Sequence, residues 1–184
     1  MLRAWLMEVC TVRRVVLLLV LLMAGCGGSP PGPSAPQPVQ AAGAWRGDLR
    51  VTSGTGEPCV GAAFHSAAGI SFEYTLKIEQ SGETLTATSS SPATGIVCQL
   101  TGRAGTSSIV LHLTTCSNAS PPRFFSCAPD VFREARPSAL TLNANIAGNA
   151  LAGTYAETYD VSVYGTTTSV GTATLNAQLT LNKQ

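Results

Sequence analysis

Ile70-Ser71-Phe72-Glu73-Tyr74-Thr75-Leu76-Lys77-Ile78-Glu79 sets an apolar side chain at every even position and a polar one at every odd position. Successive side chains of an extended chain point to opposite faces, so this stretch predicts a strand with one buried face and one wet face. The same alternation recurs on both sides of it. Upstream lie Trp45, Leu49 and Val51. Downstream come Leu85 and Ala87, then Ile96, Cys98 and Leu100, then Ile109, Leu111 and Leu113. Leu140, Leu142, Ala144 and Ile146 form a sixth run, Leu151 to Val163 a seventh, and Ala173, Leu175, Ala177, Leu179 and Leu181 an eighth. Short turn signals separate them, at Ser81-Gly82, Gly102 to Gly105, Gly148-Asn149 and Gly165. Short links between consecutive strands imply antiparallel hairpins in a meander. The chain is therefore expected to be all-β, an eight-stranded antiparallel up-and-down β-barrel, with a two-sheet β-sandwich as the alternative. A barrel of eight strands is either filled by its side chains or holds one small ligand.

The barrel domain is assigned to residues 44–184, and what precedes it has a different composition. Residues 1–25 carry a basic stretch ending at Arg13 and Arg14, an apolar run from Val15 to Met23, and the small residues Ala24 and Gly25. That is the layout of an export signal, and its apolar run is about half the roughly 20 residues a spanning helix needs. Met23-Ala24-Gly25-Cys26 resembles the lipobox of bacterial lipoproteins, with Met where Leu is usual. The resemblance implies cleavage before Cys26, a diacylglycerol thioether on its sulfur and a third acyl chain on its amino group. Two or more chains anchor a protein stably to a membrane. Gly27 in place of Asp implies, in a Gram-negative cell, delivery to the outer membrane, facing the periplasm or the cell surface. Residues 26–43 add a proline-rich, uncharged spacer, which reads as an extended linker of about 3 Å per residue.

Gly43-Ala44-Trp45 resembles the G-x-W that opens the first strand of lipocalins, and Gly153-Thr154-Tyr155 is similar to the G-T-Y of avidin-like barrels. The first resemblance implies that Trp45 packs against a basic residue near the end of the last strand, a role for which Lys183 is the candidate. Neither motif brings a ligand residue with it.

An exported domain meets oxidising conditions, and Cys59, Cys98, Cys116 and Cys127 remain for it, so two disulfides are expected. Cys98 alternates with inward Ile96 and Leu100, whereas Cys116 has the opposite parity to Leu111 and Leu113. Parity thus favours Cys59 with Cys98, and Cys116 with Cys127. The segment from Ser117 to Pro137 reads as one long loop, in which Phe124 and Phe125 either cap the barrel or meet a partner.

The domain carries eight basic and nine acidic side chains, without the basic footprint of a nucleic-acid binder. His65, read as a loop residue, and outward His112 lack an evident catalytic partner. No G-x-S-x-G, no phosphate-cradling glycine loop and no H-E-x-x-H is present, so the sequence predicts neither enzyme, metal nor cofactor. One residue breaks the pattern. Glu157 lies in phase with Tyr155 and Tyr159, which directs its carboxylate inward unless a bulge turns it out. Trp45, Tyr74, Tyr155, Glu157 and Tyr159 are accordingly the candidate ligand-lining residues. The expected role is a tethered module for a small apolar or amphipathic ligand. The alternative is an envelope lipoprotein that engages a protein or glycan and has no ligand cavity.

Overall fold

The computed structural model describes residues 36–91, 96–117 and 122–184; the segment expected to be an export signal and the expected lipidation residue Cys26 lie outside the described residues. β1 (Gly43–Gly56) is followed by a short helix, α1 (Pro58–Ser66), and then by β2 (Ser71–Ser81), β3 (Thr84–Ser91), β4 (Ile96–Ala104) and β5 (Ser108–Cys116). A short strand, β6 (Arg123–Ala128), precedes the long β7 (Val131–Ala147), β8 (Ala150–Val163) and β9 (Ser169–Lys183). Each strand pairs antiparallel with the next except β5, which skips β6; β9 returns to β1, and β5 pairs with β7 to close an eight-stranded barrel. The barrel, not the sandwich, is the fold.

β7 has two neighbours on one edge. Its first half pairs with β6, from Arg123 opposite Ala135 to Ala128 opposite Val131, and its second half pairs with β5, from Ser108 opposite Asn145 to His112 opposite Thr141. The change falls at a bulge between Pro137 and Ala139, where a proline without an N–H interrupts the ladder least. The segment read as a long loop is thus largely a hairpin, β6 and the start of β7, which extends the barrel wall at one end.

The predicted inward residues are inward. Tyr74, Leu76 and Ile78 of β2 are buried, as are Ile96, Cys98 and Leu100 of β4, Leu140 to Ile146 on alternate positions of β7, and Ala173 to Leu181 on alternate positions of β9. The two-residue turn from β7 to β8 places Gly148 at φ 59, a left-handed conformation suited to glycine at the first central position of a tight hairpin.

The two ends of the barrel are sealed differently. At the end where β1 begins, residues ahead of it pack against the barrel: Val39 N donates to Gly105 O, Ala41 N donates to the Gln80 side chain, and Trp45 Nε1 donates to Ala41 O at 2.9 Å. Trp45 is fully buried, and the Lys183 ammonium stands 5.4 Å from its ring centre, a contact worth about 0.5–1 kcal/mol. This is the Trp–Lys pairing that the G-x-W motif implied.

At the other end α1 lies across the barrel in place of the expected loop. Pro58 pre-sets its first turn, and the Glu57 side chain accepts hydrogen bonds from Cys59 N and Val60 N. A Cβ on Gly54 would stand 2.3 Å from Phe64 Cβ, so the helix rests directly on β1. Phe64 drives inward against Tyr159 at 5.1 Å and Phe125 at 5.6 Å. Of the two phenylalanines in the hairpin, Phe125 caps the barrel and Phe124 faces solvent.

The disulfides join Cys59 to Cys127 and Cys98 to Cys116, which corrects the connectivity expected from parity. β5 carries a bulge: Gln99 faces Thr115 while Leu100 faces Leu113, so Thr114 is an extra residue. That insertion reverses the phase of everything after it and brings Cys116 directly opposite Cys98. The remaining pair ties α1 to β6. In the chain-entropy account, loops of 68 and 18 residues give about 4 and about 3 kcal/mol respectively. Peptide mapping without reduction is expected to recover Cys59–Cys127 and Cys98–Cys116 fragments. Chemical denaturation is expected to show a greater loss for the Cys59→Ala/Cys127→Ala double variant than for Cys98→Ala/Cys116→Ala.

Candidate ligand-binding cavity

Between the packed end and the α1 cap, the barrel interior leaves a partly enclosed cavity of about 90 Å³. Its apolar wall comes from Leu49, Phe72, Ile96 and Leu175. Its polar wall comes from Tyr74, Ser89, Tyr155, Glu157 and Arg123. The inner faces of β1, β2, β3, β4, β8 and β9 thus contribute to one space, and β6 supplies the arginine at the capped end.

Glu157 is 5% exposed, and on β8 it faces Leu140 of β7 and Leu175 of β9, so apolar strands flank its carboxylate. Tyr155 lies two residues away on the same face of the strand and donates from Oη to Glu157 Oε2 at 2.8 Å. The Tyr74 ring meets the Tyr155 ring edge-on at 5.6 Å. Tyr159 is fully buried beyond Glu157, with the Arg123 guanidinium carbon 5.1 Å from its ring centre.

Nε of Arg123 is buried without a hydrogen-bond partner, and the buried hydroxyls of Tyr74 and Tyr159 face Ser89 and Glu157 respectively without meeting them in good hydrogen-bond geometry. A buried polar group left in that condition costs about 1–3 kcal/mol, and native folds keep few of them. Here they converge on one cavity and its rim.

Burial pushes the Tyr155 phenol well above its ordinary 10.0, and the neighbouring Glu157 charge pushes it further. Tyr159 is raised by burial and by Glu157, with Arg123 pulling the other way. Tyr74 is raised by burial, against a smaller downward pull from the Ser89 hydroxyl and with a further push from Glu157. All three phenols therefore stay neutral in ordinary conditions, where each is a hydrogen-bond donor.

Tyr74, Tyr155 and Glu157, three of the five expected lining residues, line the cavity. Tyr159 backs Glu157 under the cap, and Trp45 seals the opposite end, so neither lines it. Phe72, Ser89, Ile96 and Leu175 share the inward parity of their strands and were accessible to the same reasoning. Arg123 was not, because its segment carries no clean alternation. His65 and His112 are exposed, and His112 Nδ1 lies 3.3 Å from Thr141 Oγ1 on the outer face. No group of three or more His, Cys, Asp or Glu placed to hold a metal ion occurs among the described residues.

No protein-family model matches the chain, and neither a curated protein nor a solved structure matches it.

The phenols set an expectation for alkaline pH. A native pKa raised above the unfolded value stabilises the fold fully below about pH 10, and that contribution is lost as pH rises toward the native values. A phenolate absorbance titration is expected to show these three tyrosines ionising only as the barrel unfolds. Tyr155→Phe is expected to make the loss of stability above pH 10 shallower. Ionisation of all tyrosines near 10 in the folded protein would contradict the burial described.

Proposed function

We propose that this protein is a binding module that holds a small amphipathic ligand in the cavity beside Glu157, carried on an envelope membrane by acyl chains at Cys26. The observation that carries the reading is the meeting of Glu157, a weakly bonded Tyr74 hydroxyl and an unpartnered Arg123 Nε around one partly enclosed space. Such a set is costly for the fold and useful to a ligand. The volume narrows the ligand. About 90 Å³ corresponds to roughly three waters at about 30 Å³ each, and is below the ~150 Å³ of a cavity that binds benzene. A compact molecule with a polar end suits it better than a lipid chain. The exposed histidines and the neutral phenols favour binding over turnover.

The lipobox-like Met23-Ala24-Gly25-Cys26 supports the anchor, and the two disulfides agree with an exported domain. The opening G-x-W, with Trp45 on Lys183, supports kinship with lipocalin-like barrels, which is consistent with a ligand-holding role.

A partner surface has one observation in its favour. Phe124, Phe132 and Tyr164 are all about half exposed, and Tyr164 meets the two phenylalanine rings at 5.2 and 6.4 Å on the outer face of the capped end. That cluster is suited to an envelope protein or glycan.

Native mass spectrometry of protein released gently from its membrane is expected to show a small-mass adduct that Glu157→Leu abolishes. A clean ligand-free mass across preparations would remove the binding reading. Cys26→Ser is expected to shift the protein from the membrane to the soluble fraction, and unchanged membrane retention would remove the anchor. Phe132→Ser with Tyr164→Ser is expected to leave the adduct intact, which separates the cavity from the partner surface.

A further inference from the structure

We infer that the cavity takes a small zwitterion, a molecule with an ammonium and a carboxylate close together, as in a short-chain α-amino acid. The inference rests on the cavity being a ligand site and goes on to its chemistry. Three carboxylates are buried among the described residues: Glu57, Glu134 and Glu157. The first two are each held by an arginine, Glu57 by Arg133 at 3.3 Å and Glu134 by Arg136. Glu157 has no arginine or lysine partner among the described residues: the Tyr155 hydroxyl donates to Oε2, and the Tyr159 hydroxyl is its other polar neighbour. Arg123 lines the same cavity, and its Nε is buried without a partner. Within the one space, then, a carboxyl group and a guanidinium stand without an ion pair between them.

An uncompensated buried charge is among the costliest features a fold can keep, and a partner of opposite sign removes most of that cost. A ligand with one charge satisfies one of the two residues and leaves the other as it was. A neutral ligand satisfies neither. A zwitterion satisfies both at once, its ammonium on Glu157 and its carboxylate toward Arg123. The Tyr74 hydroxyl, neutral and without a well-formed hydrogen bond to Ser89, is a further donor to such a carboxylate. Leu49, Phe72 and Leu175 leave an apolar wall, and a volume of about 90 Å³ suits a short aliphatic side chain.

The experiment is isothermal titration of the purified full chain with four probes of similar size: L-alanine, ethylamine, propionate and 1-propanol. L-Alanine is expected to bind at least about 10-fold tighter than each of the others, the lower bound for a charge-assisted hydrogen bond. Glu157→Gln, which keeps the shape of the side chain, is expected to weaken L-alanine by about 10- to 100-fold while leaving propionate nearly unchanged. Arg123→Met is expected to weaken L-alanine similarly while sparing ethylamine. The crossed pattern across two variants is one that general loss of folding does not produce. Equal binding of L-alanine and any single-charge or neutral probe would overturn the zwitterion and leave the cavity as a ligand site. Absence of binding by all four probes would also overturn the zwitterion, and the ligand site falls with it only where the native mass spectrum shows no adduct.

Discussion

Five residue pairs between β5 and β7, from Ser108–Asn145 to His112–Thr141, close the barrel, and every other feature depends on them. Without that seam the sheet has two free edges, and its inner face has nothing opposite it. With the seam, Leu111 and Leu142 face the interior directly across from each other, and the apolar alternation of eight strands becomes one core. The seam is short because β7 is shared. Its first half is taken by β6, and the Pro137 bulge separates the two pairings. Closure therefore leaves a hairpin that extends beyond the seam at one end of the barrel, and that hairpin brings Arg123 to the cavity and Cys127 to the helix.

The cap converges on Glu57. Its backbone N–H donates to Thr172 O at 2.7 Å, one side-chain oxygen caps α1, and the other receives Arg133 of β7. A single buried carboxylate thus binds helix, hairpin and β9 together, with the Cys59–Cys127 bond and the Phe64–Phe125 contact beside it. Glu57 and Glu157 are both buried acids, yet they differ in kind. The first has a cation beside it, Arg133; the second has only tyrosine hydroxyls, and this lack of an opposite charge distinguishes a structural acid from a candidate ligand group.

The barrel was legible in the sequence because period-2 alternation is a local signal, and an inner face must be apolar wherever the register holds. Glu157 was legible for the same reason, as the polar exception in an apolar phase. Local signals failed where a single residue altered the geometry. Thr114 adds one position to β5, and parity then assigns Cys116 to the wrong face and both disulfides to the wrong partners. α1 escaped because Glu57 is not among the usual capping residues and the helix has only nine residues, although Glu-Pro ahead of Val60 and Phe64 was its trace. Arg123 belongs to a strand whose pairing with β7 is decided by barrel closure, so no pattern in its own neighbourhood could announce it.

Apolar packing and polar chemistry occupy opposite ends of the same barrel. Trp45, Leu76, Leu151, Leu179 and Leu181 fill the end where β1 begins, and dispersion and burial stabilise it without further help. The other end carries Glu157, three neutral phenols and a partly buried arginine, which contribute less than hydrocarbon and cost more to desolvate. Both disulfides lie at this end: Cys98–Cys116 joins the beginning of β4 to the end of β5, and Cys59–Cys127 fastens the cap. Covalent constraint is thus placed where non-covalent packing is weakest, and it substitutes for the core that a polar cavity displaces. A ligand that satisfied the same charges would add its stabilisation at the same end. Oxidation and binding are therefore expected to act on one region of the structure.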